Sequence, residues 1–255
     1  MEDYYINEFY PELIAPTVTT YNNINQGGSK IVFIGKPGTG KSTLIKYILY
    51  SKMDIIPYAV VMNGTEESTK FYSEIFPPLF VYNEYNEKII ENFVKRQQEA
   101  KNTLKNPWGL LLLDDCTDAR SVFKSTIQNN IFKNGRHYKM LYFLSLQYSV
   151  DLPPAQRTCV DGAFIFKETN EKNLKNLYEN YAGIFPKFQI FKNYMEKICG
   201  NYTALYIDSQ NQNDKEWYDC IYYVKAPIIP EFKFGCKEYR AYGRDRVQTK
   251  HIKKK

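Results

Sequence analysis

Apolar residues follow two alternating patterns along this chain. Uninterrupted apolar runs predict strands that are buried on both faces, and apolar residues spaced three or four apart predict amphipathic helices. The predicted strands are 31–34, 58–62, 79–82, 110–113, 139–147, 160–166, 202–207 and 217–224. The predicted helices are 42–51, 65–75, 86–104, 118–132, 171–181 and 186–197, with a short helix opening at 153. This alternation predicts an α/β domain, a mainly parallel sheet with helices on both faces and a late β-hairpin.

The first predicted strand leads directly into Gly35-x-x-x-x-Gly40-Lys41-Ser42, which is the P-loop pattern, and a helix follows. The glycines let backbone N–H groups turn toward phosphate oxygens, and the start of the helix adds its positive dipole end. Lys41 is predicted to contact the β- and γ-phosphates, and the Ser42 hydroxyl to ligate Mg²⁺. The predicted nucleotide-binding residues are Gly35, Lys36, Pro37, Gly38, Thr39, Gly40, Lys41, Ser42 and Thr43.

Two acidic residues, Asp114 and Asp115, end the four-leucine strand 110–113. Ligands of α/β folds collect at the carboxyl ends of strands, so this pattern predicts a Walker B strand. Asp114 is predicted to hold Mg²⁺, and Asp115 to activate the attacking water as a general base. The alternative is a surface acid pair that merely ends a strand.

Three further polar residues are candidates for catalysis. Gln147 ends the strand 139–147 and is predicted to contact the γ-phosphate or the attacking water as a sensor. Arg136 and Arg157 flank that strand, and either could neutralise transition-state charge at a neighbouring subunit's nucleotide. The alternative for both arginines is an ordinary surface position.

Charge is distributed unevenly along the 255 residues. The formal net charge of +6 lies entirely in residues 237–255, which hold eight basic and two acidic side chains. We therefore divide the chain into an irregular lead-in at 1–28, an ATPase domain at 29–236 and a basic tail at 237–255. A basic tail is typical of proteins with a polyanionic partner, although it can also act as a disordered solubilising tail.

Several classes of protein are disfavoured by composition. No apolar run is long enough for a transmembrane helix, and residues 1–5 lack the features of a signal peptide. Five cysteines without a C-x-x-C pair and two histidines disfavour a zinc site. No Asn-Lys-x-Asp guanine motif or Arg-rich lid is present, which favours an ATPase coupled to motion.

Four motifs of this chain, taken together, resemble those of the poxvirus-type DNA-packaging ATPases. They are the P-loop, the Asp114–Asp115 strand end, the Gly135-Arg136-His137 turn, and the Gln147 strand with Pro153-Pro154-x-x-Arg157. These ATPases form a viral branch of the FtsK–HerA superfamily in nucleocytoplasmic large DNA viruses and virophages. The resemblance implies a RecA-like ASCE core with strand order 5-1-4-3-2. It also implies a homomeric ring of five or six subunits that uses ATP and Mg²⁺ to pump double-stranded DNA into a preformed capsid.

The same resemblance implies a protein that acts at the capsid or portal vertex, in the host cytoplasm or in the virion. Many members of the superfamily have Glu where this chain has Asp115. Two alternatives stay open at this point. One is another P-loop ATPase acting on DNA, such as a helicase or segregation ATPase. The other is a non-catalytic, nucleotide-dependent capsid scaffold.

Overall fold

The computed structural model describes residues 6–117, 120–210 and 215–252, which form a nine-stranded sheet with helices on both faces. Its strands run in spatial order β1-β9-β8-β7-β2-β6-β5-β3-β4. Their bounds are β1 Asn7–Glu8, β2 Lys30–Ile34, β3 Tyr58–Asn63, β4 Val81–Tyr82, β5 Gly109–Asp114, β6 Met140–Leu146, β7 Gly162–Ile165, β8 Thr203–Asp208 and β9 Ile221–Lys225.

The predicted α/β fold is confirmed, and its central strands follow the predicted order. Strands β7, β2, β6, β5 and β3 are neighbours and all parallel, which is 5-1-4-3-2 when they are numbered along the chain. The full sheet differs in detail because strands are added at both sides. Strand β4 extends the β3 side, and β8, β9 and β1 extend the β7 side.

The predicted late hairpin is present as the antiparallel pair β8–β9. Strand β8 also runs antiparallel to β7, so its first residues lie at the same sheet edge as the carboxyl end of β7. The second strand is shorter than predicted, because Trp217–Cys220 forms a 3-10 turn. Part of the predicted polar turn, 211–214, lies outside the described residues.

Eight α-helices occur in the described residues. They are α1 Lys41–Lys52, α2 Glu66–Ile75, α3 Glu87–Thr103, α4 Thr126–Asn134, α5 Pro154–Arg157, α6 Glu171–Tyr181, α7 Phe188–Ile198 and α8 Lys237–Ile252. The predicted single helix at 118–132 is wrong. A 3-10 segment, Arg120–Lys124, precedes α4, and Ser125 caps α4 by accepting the Gln128 N–H at 3.4 Å. Residues 118 and 119 lie outside the description.

The leucine strand explains why the apolar runs are uninterrupted. Leu111 and Leu113 pack into the core on one face of the sheet, and Leu110 and Leu112 pack into the core on the other. All four are fully buried. A parallel sheet covered on both faces has no solvent-facing side, so alternation disappears from its central strands.

Both terminal segments pack against this sheet. The lead-in includes β1, which pairs with β9, and residues 11–16 supply carbonyl oxygens to the Lys52 amine. At the other end, the charge-rich tail begins as α8, in which Tyr239 is buried and stacks on Phe80. Lysines 253–255 lie outside the described residues. In the described part, no helix is long and apolar enough to cross a membrane.

Candidate nucleotide-binding site

The carboxyl ends of β2, β5 and β6 meet at one edge of the sheet and bring the predicted site residues together. Ile34 of β2 is in register with Leu146 of β6, and Asp114 of β5 is in register with Ser145 of β6. Each strand therefore delivers its next residues to the same edge: the P-loop after β2, Asp115 after β5 and Gln147 after β6. This is the edge at which open α/β sheets bind ligands.

The P-loop has a backbone path that depends on glycine. Gly38 and Gly40 adopt φ values of 76° and 101°, in the left-handed region that side chains disfavour. Thr39 closes the loop by donating its hydroxyl to the Lys36 carbonyl at 2.7 Å. Helix α1 begins immediately at Lys41, and no side chain of the described residues caps it at Gly40. Its first N–H groups are available to an anion.

Lys41 is buried, with 5% of its surface exposed, and folds back onto the loop. Its amine donates to the Gly35 carbonyl at 2.7 Å and to the Lys36 carbonyl at 3.4 Å. It also lies 3.4 Å from a carboxylate oxygen of Asp115. The amine thus connects the phosphate loop to the second acidic residue.

Asp114 has one carboxylate oxygen occupied and one oxygen without a partner. The Tyr72 hydroxyl, on α2, donates to its Oδ2 at 2.7 Å. Its Oδ1 is buried and accepts no hydrogen bond from the described residues. Burial, followed by the Asp114 charge, raises the pKa of Tyr72 well above its usual value, and the neighbouring Ser42 side chain opposes this rise.

A divalent cation fits this arrangement. Mg²⁺ prefers hard oxygen ligands, and a buried carboxylate oxygen without a partner is costly unless something completes it. Asp114 and Ser42, the two predicted ligands, both lie near the Tyr72 hydroxyl and influence its pKa. The donor set therefore suits Mg²⁺ bound beside a nucleotide phosphate.

Asp115 has an unusual backbone and a perturbed carboxyl group. Its φ is 47°, and the Ser145 hydroxyl lies 3.4 Å from its Oδ1. Burial is the largest influence and raises its pKa; the Asp114 charge also raises it, whereas Lys41 opposes the rise. Gly64 packs directly on the Asp115 carbonyl, where a β-carbon would clash. Left-handed non-glycine residues cluster at functional sites.

Gln147 is exposed and shares a cavity with Asp115. The cavity has a volume of about 320 Å³ and is also lined by Thr117, Ser145 and Tyr148. An amide and a carboxylate facing one open cavity could both reach a water molecule or a phosphate oxygen. The sensor role of Gln147 and the general-base role of Asp115 stay predictions.

The two arginines lie apart from this cluster. Arg136 precedes β6, so it is at the opposite sheet edge, where its guanidinium is 2.8 Å from Asp161. Arg157 ends α5 and donates to the Asn180 side chain of α6. Neither arginine hydrogen-bonds a P-loop residue within the described ranges.

Three site contacts were missed by sequence reasoning. Tyr72 had no distinguishing signal, because it is one of 23 tyrosines and lies on an ordinary amphipathic helix. Ser145 is an internal strand residue, so only its register with Asp114 reveals it. Glu168 ion-pairs with Lys36 at 2.9 Å, and its place just after β7 could have suggested it.

The strand order and the P-loop define a RecA-like P-loop fold of the ASCE class. NTPase B204 from Sulfolobus turreted icosahedral virus 2, a genome-packaging NTPase solved with ATPγS, has a TM-score of 0.55 at 20% identity. The match covers 79% of this chain and 98% of B204. The pCW3 conjugation coupling protein TcpA, also solved with ATPγS, has a TM-score of 0.53 at 11% identity, covering 89% and 66%.

Curated relatives from large DNA viruses are closer in sequence. Protein 075L of invertebrate iridescent virus 6 is 54% identical over 99% of this chain and 98% of its own length. Protein 015R of frog virus 3 is 41% identical over 85% and 68%, and protein L437 of Acanthamoeba polyphaga mimivirus is 34% identical over 86% and 82%. No protein-family model matches the sequence. The chain belongs to this family of large-DNA-virus proteins, in agreement with the predicted viral resemblance.

Proposed function

We propose that the protein is an ATPase that drives double-stranded DNA into a viral capsid. The observation that carries the proposal is the contact between Lys41 of the P-loop and Asp115, 3.4 Å apart, beside Asp114 and the Gln147 cavity. This arrangement supplies both a phosphate-binding group and a candidate base. The viral relatives and the fold shared with a genome-packaging NTPase support the same class of function.

Phosphate binding follows from the loop and the start of α1. The N–H groups of the P-loop cradle the α- and β-phosphates, and Lys41 leaves its carbonyl contacts to bind the β- and γ-phosphates. Asp114 and Ser42 would hold Mg²⁺, which would neutralise charge on the phosphate oxygens. Tyr72 keeps the Asp114 carboxylate turned so that its free oxygen remains available.

Hydrolysis needs a general base that lies close to the γ-phosphate. Its carboxylate must also release the accepted proton readily, so that its negative charge is restored. Movement of Lys41 onto phosphate frees the Asp115 carboxylate, whose pKa is already raised by burial. Asp115 then accepts a proton from the attacking water, and Gln147 orients that water or the γ-phosphate. Coupling of Lys41 to Asp115 links nucleotide binding to activation of the base.

We further propose a ring of five or six subunits around the DNA, docked on the capsid or portal vertex. Arg157 is the first candidate for the residue that acts on a neighbour's nucleotide, and Arg136 is the second. Asp161 already pairs with both Arg136 and Lys30, so Arg136 would have to break a contact to act in trans. Mixing Arg157→Ala and Lys41→Met subunits should restore some ATP hydrolysis if Arg157 acts in trans. No recovery in confirmed mixed rings would contradict that assignment.

The proposal is tested by displacement of a triplex-forming oligonucleotide from linear double-stranded DNA. We expect ATP-dependent displacement by the wild-type protein and none by Lys41→Met. Strand separation on forked DNA without triplex displacement would favour a helicase. Tight ATP binding without turnover, unaffected by Asp115→Asn, would favour a nucleotide-dependent scaffold.

A further inference from the structure

The candidate acidic and sensor residues all lie on one side of the P-loop along the sheet edge. Asp114, Asp115 and Gln147 follow β5 and β6, which lie on one side of the P-loop strand β2. The terminal phosphate of a bound nucleotide must face these groups if they are to act on it. The nucleoside must therefore leave the P-loop toward the other side, where β7 and β8 lie.

An exposed aromatic ring occupies that other side. Tyr202 directly precedes β8, and 65% of its surface is exposed. Its ring borders Gly40, where an added β-carbon would lie 3.3 Å from Tyr202 Cδ1. Tyr148 is another exposed tyrosine at this edge. It follows β6 and lines both the Asp115–Gln147 cavity and a smaller cavity with Gly35 and Glu168, whereas Tyr202 lies directly before β8. Tyr202 is thus placed beside the phosphate loop on the nucleoside side.

The backbone at Tyr202 is unfavourable for a tyrosine. Asn201 and Tyr202 have φ values of 49° and 64°, and the Thr203 N–H donates to the Gly200 carbonyl at 2.9 Å. These features define a tight turn with two left-handed central residues, which favours Asn followed by Gly. The sequence has the Asn but places a bulky aromatic residue where glycine fits best. Turn formation alone does not account for this choice.

We propose that Tyr202 stacks on the base of the bound nucleotide and so forms the base-binding part of the site. This inference rests on the proposed function, because it assumes that the P-loop binds a nucleotide. An exposed aromatic face stacks on any base, because every base has a π-face. Tyr202 therefore contributes affinity for a nucleoside more than selectivity between adenine and guanine. Stacking on a base also accounts for the unfavourable backbone at Tyr202, because strained residues cluster at ligand-binding sites.

The test compares a nucleotide with a ligand that has phosphates but no base. Binding of ATPγS and of inorganic triphosphate, both with Mg²⁺, is measured by calorimetry on the full chain. The variants are Tyr202→Gly, which the turn geometry favours, and Tyr202→Phe, which keeps the ring. Tyr10→Ala is the matched control, since Tyr10 is an exposed tyrosine in the lead-in, 51% exposed, beside the β9 side of the sheet.

We expect Tyr202→Gly to weaken ATPγS binding by about tenfold, in line with the usual contribution of a base–aromatic stack, and to leave triphosphate binding unchanged. Tyr202→Phe and Tyr10→Ala should bind both ligands as the wild type does. Unchanged ATPγS binding by Tyr202→Gly would overturn the inference, and so would an equal loss for both ligands. Wild-type protein that binds triphosphate no more weakly than ATPγS would also overturn it while leaving the phosphate site standing. Failure of the wild type to bind either ligand would overturn the proposed function as well.

Discussion

Helix α1 carries a buried lysine at each end, and the two lysines have opposite surroundings. Lys52 is 2% exposed, and its amine donates to three carbonyls, those of Pro11, Ile14 and Pro16, at 2.9, 2.7 and 2.8 Å. Lys41 has one short carbonyl contact, one long carbonyl contact and a carboxylate 3.4 Å away. An ammonium group has three donors, so Lys52 is saturated whereas Lys41 is only loosely satisfied.

This difference separates a structural lysine from the lysine that we propose binds phosphate on the same helix. Burial lowers the pKa of Lys52 to about 8, so its amine still carries charge at neutral pH and holds the lead-in against the domain. Lys41 can exchange its present contacts for phosphate oxygens at a small cost in free energy. Two of its partners are neutral carbonyls, and the third is Asp115, which we propose as the general base. The same substitution at the two positions should therefore act on different properties.

The largest effect is expected at Lys41. Lys41→Met should slow ATP hydrolysis by about 1,000-fold, because it removes the charge that stabilises the transferring phosphate. The free energy of unfolding should fall by about 1 to 2 kcal/mol, less than for Lys52, since Lys41 makes one short carbonyl contact where Lys52 makes three. Steady-state hydrolysis and urea unfolding measure the two effects on the same preparation. A large loss of stability would place Lys41 in the same structural class as Lys52.

Lys52→Met should show the reverse pattern. It leaves three buried carbonyls without their donor, so we expect a loss of about 3 kcal/mol in the free energy of unfolding. Faster proteolysis within residues 6–20 should accompany this loss. ATP hydrolysis should stay near the wild-type rate at temperatures where the variant remains folded. A hydrolysis defect in fully folded Lys52→Met would mean that the two ends of α1 are coupled.

Asp115→Asn removes the carboxylate that Lys41 contacts and keeps the shape of the side chain. Hydrolysis should fall by about 100-fold, the lower range for loss of a general base, while ATP binding persists. Because the pKa of Asp115 is raised, its carboxylate takes up a proton at a higher pH than an ordinary aspartate does. Wild-type turnover should therefore decline on acidification from a higher pH. A pH–rate profile without an acidic decline would argue against Asp115 as the base.

The smallest effect is expected from Tyr72→Phe, which removes the phenol donor on Asp114. Without this donor the Asp114 carboxylate should be misoriented. The Mg²⁺ concentration for half-maximal ATP binding should then rise by about tenfold, the lower range for loss of a group that orients a metal ligand. Binding of ATP without Mg²⁺ serves as the control and should not change. An equal Mg²⁺ requirement in both proteins would show that Asp114 needs no such support.

The parts of this fold that depend on local pattern were predictable, and those that depend on tertiary contacts were not. The P-loop glycines and the acidic end of the leucine strand are read from adjacent residues, because strand, loop and helix chemistry act over a few positions. The helix predicted at 118–132 instead contains a 3-10 segment that ends at Ser125, a capping residue whose meaning depends on where the helix starts.

Long-range partners set the rest of the site. Tyr72 reaches Asp114 across 42 positions, and Lys52 reaches the lead-in across about 40, so neither contact leaves a periodic signal. Arg136 illustrates the same limit from the other direction. Its proximity to the Gln147 strand in sequence suggested a catalytic position, but the strand carries Gln147 to the opposite edge of the sheet. Residues at the two ends of one strand are close in sequence but lie at opposite edges of the sheet.

The most direct test of the lysine comparison is single-turnover hydrolysis of bound ATP by wild type, Lys41→Met and Lys52→Met under conditions in which all three are folded. We expect wild type and Lys52→Met to hydrolyse ATP at similar rates and Lys41→Met to be slower by about 1,000-fold. Wild-type turnover by Lys41→Met would contradict the assignment of this P-loop lysine to catalysis, and with it the ATPase site described above.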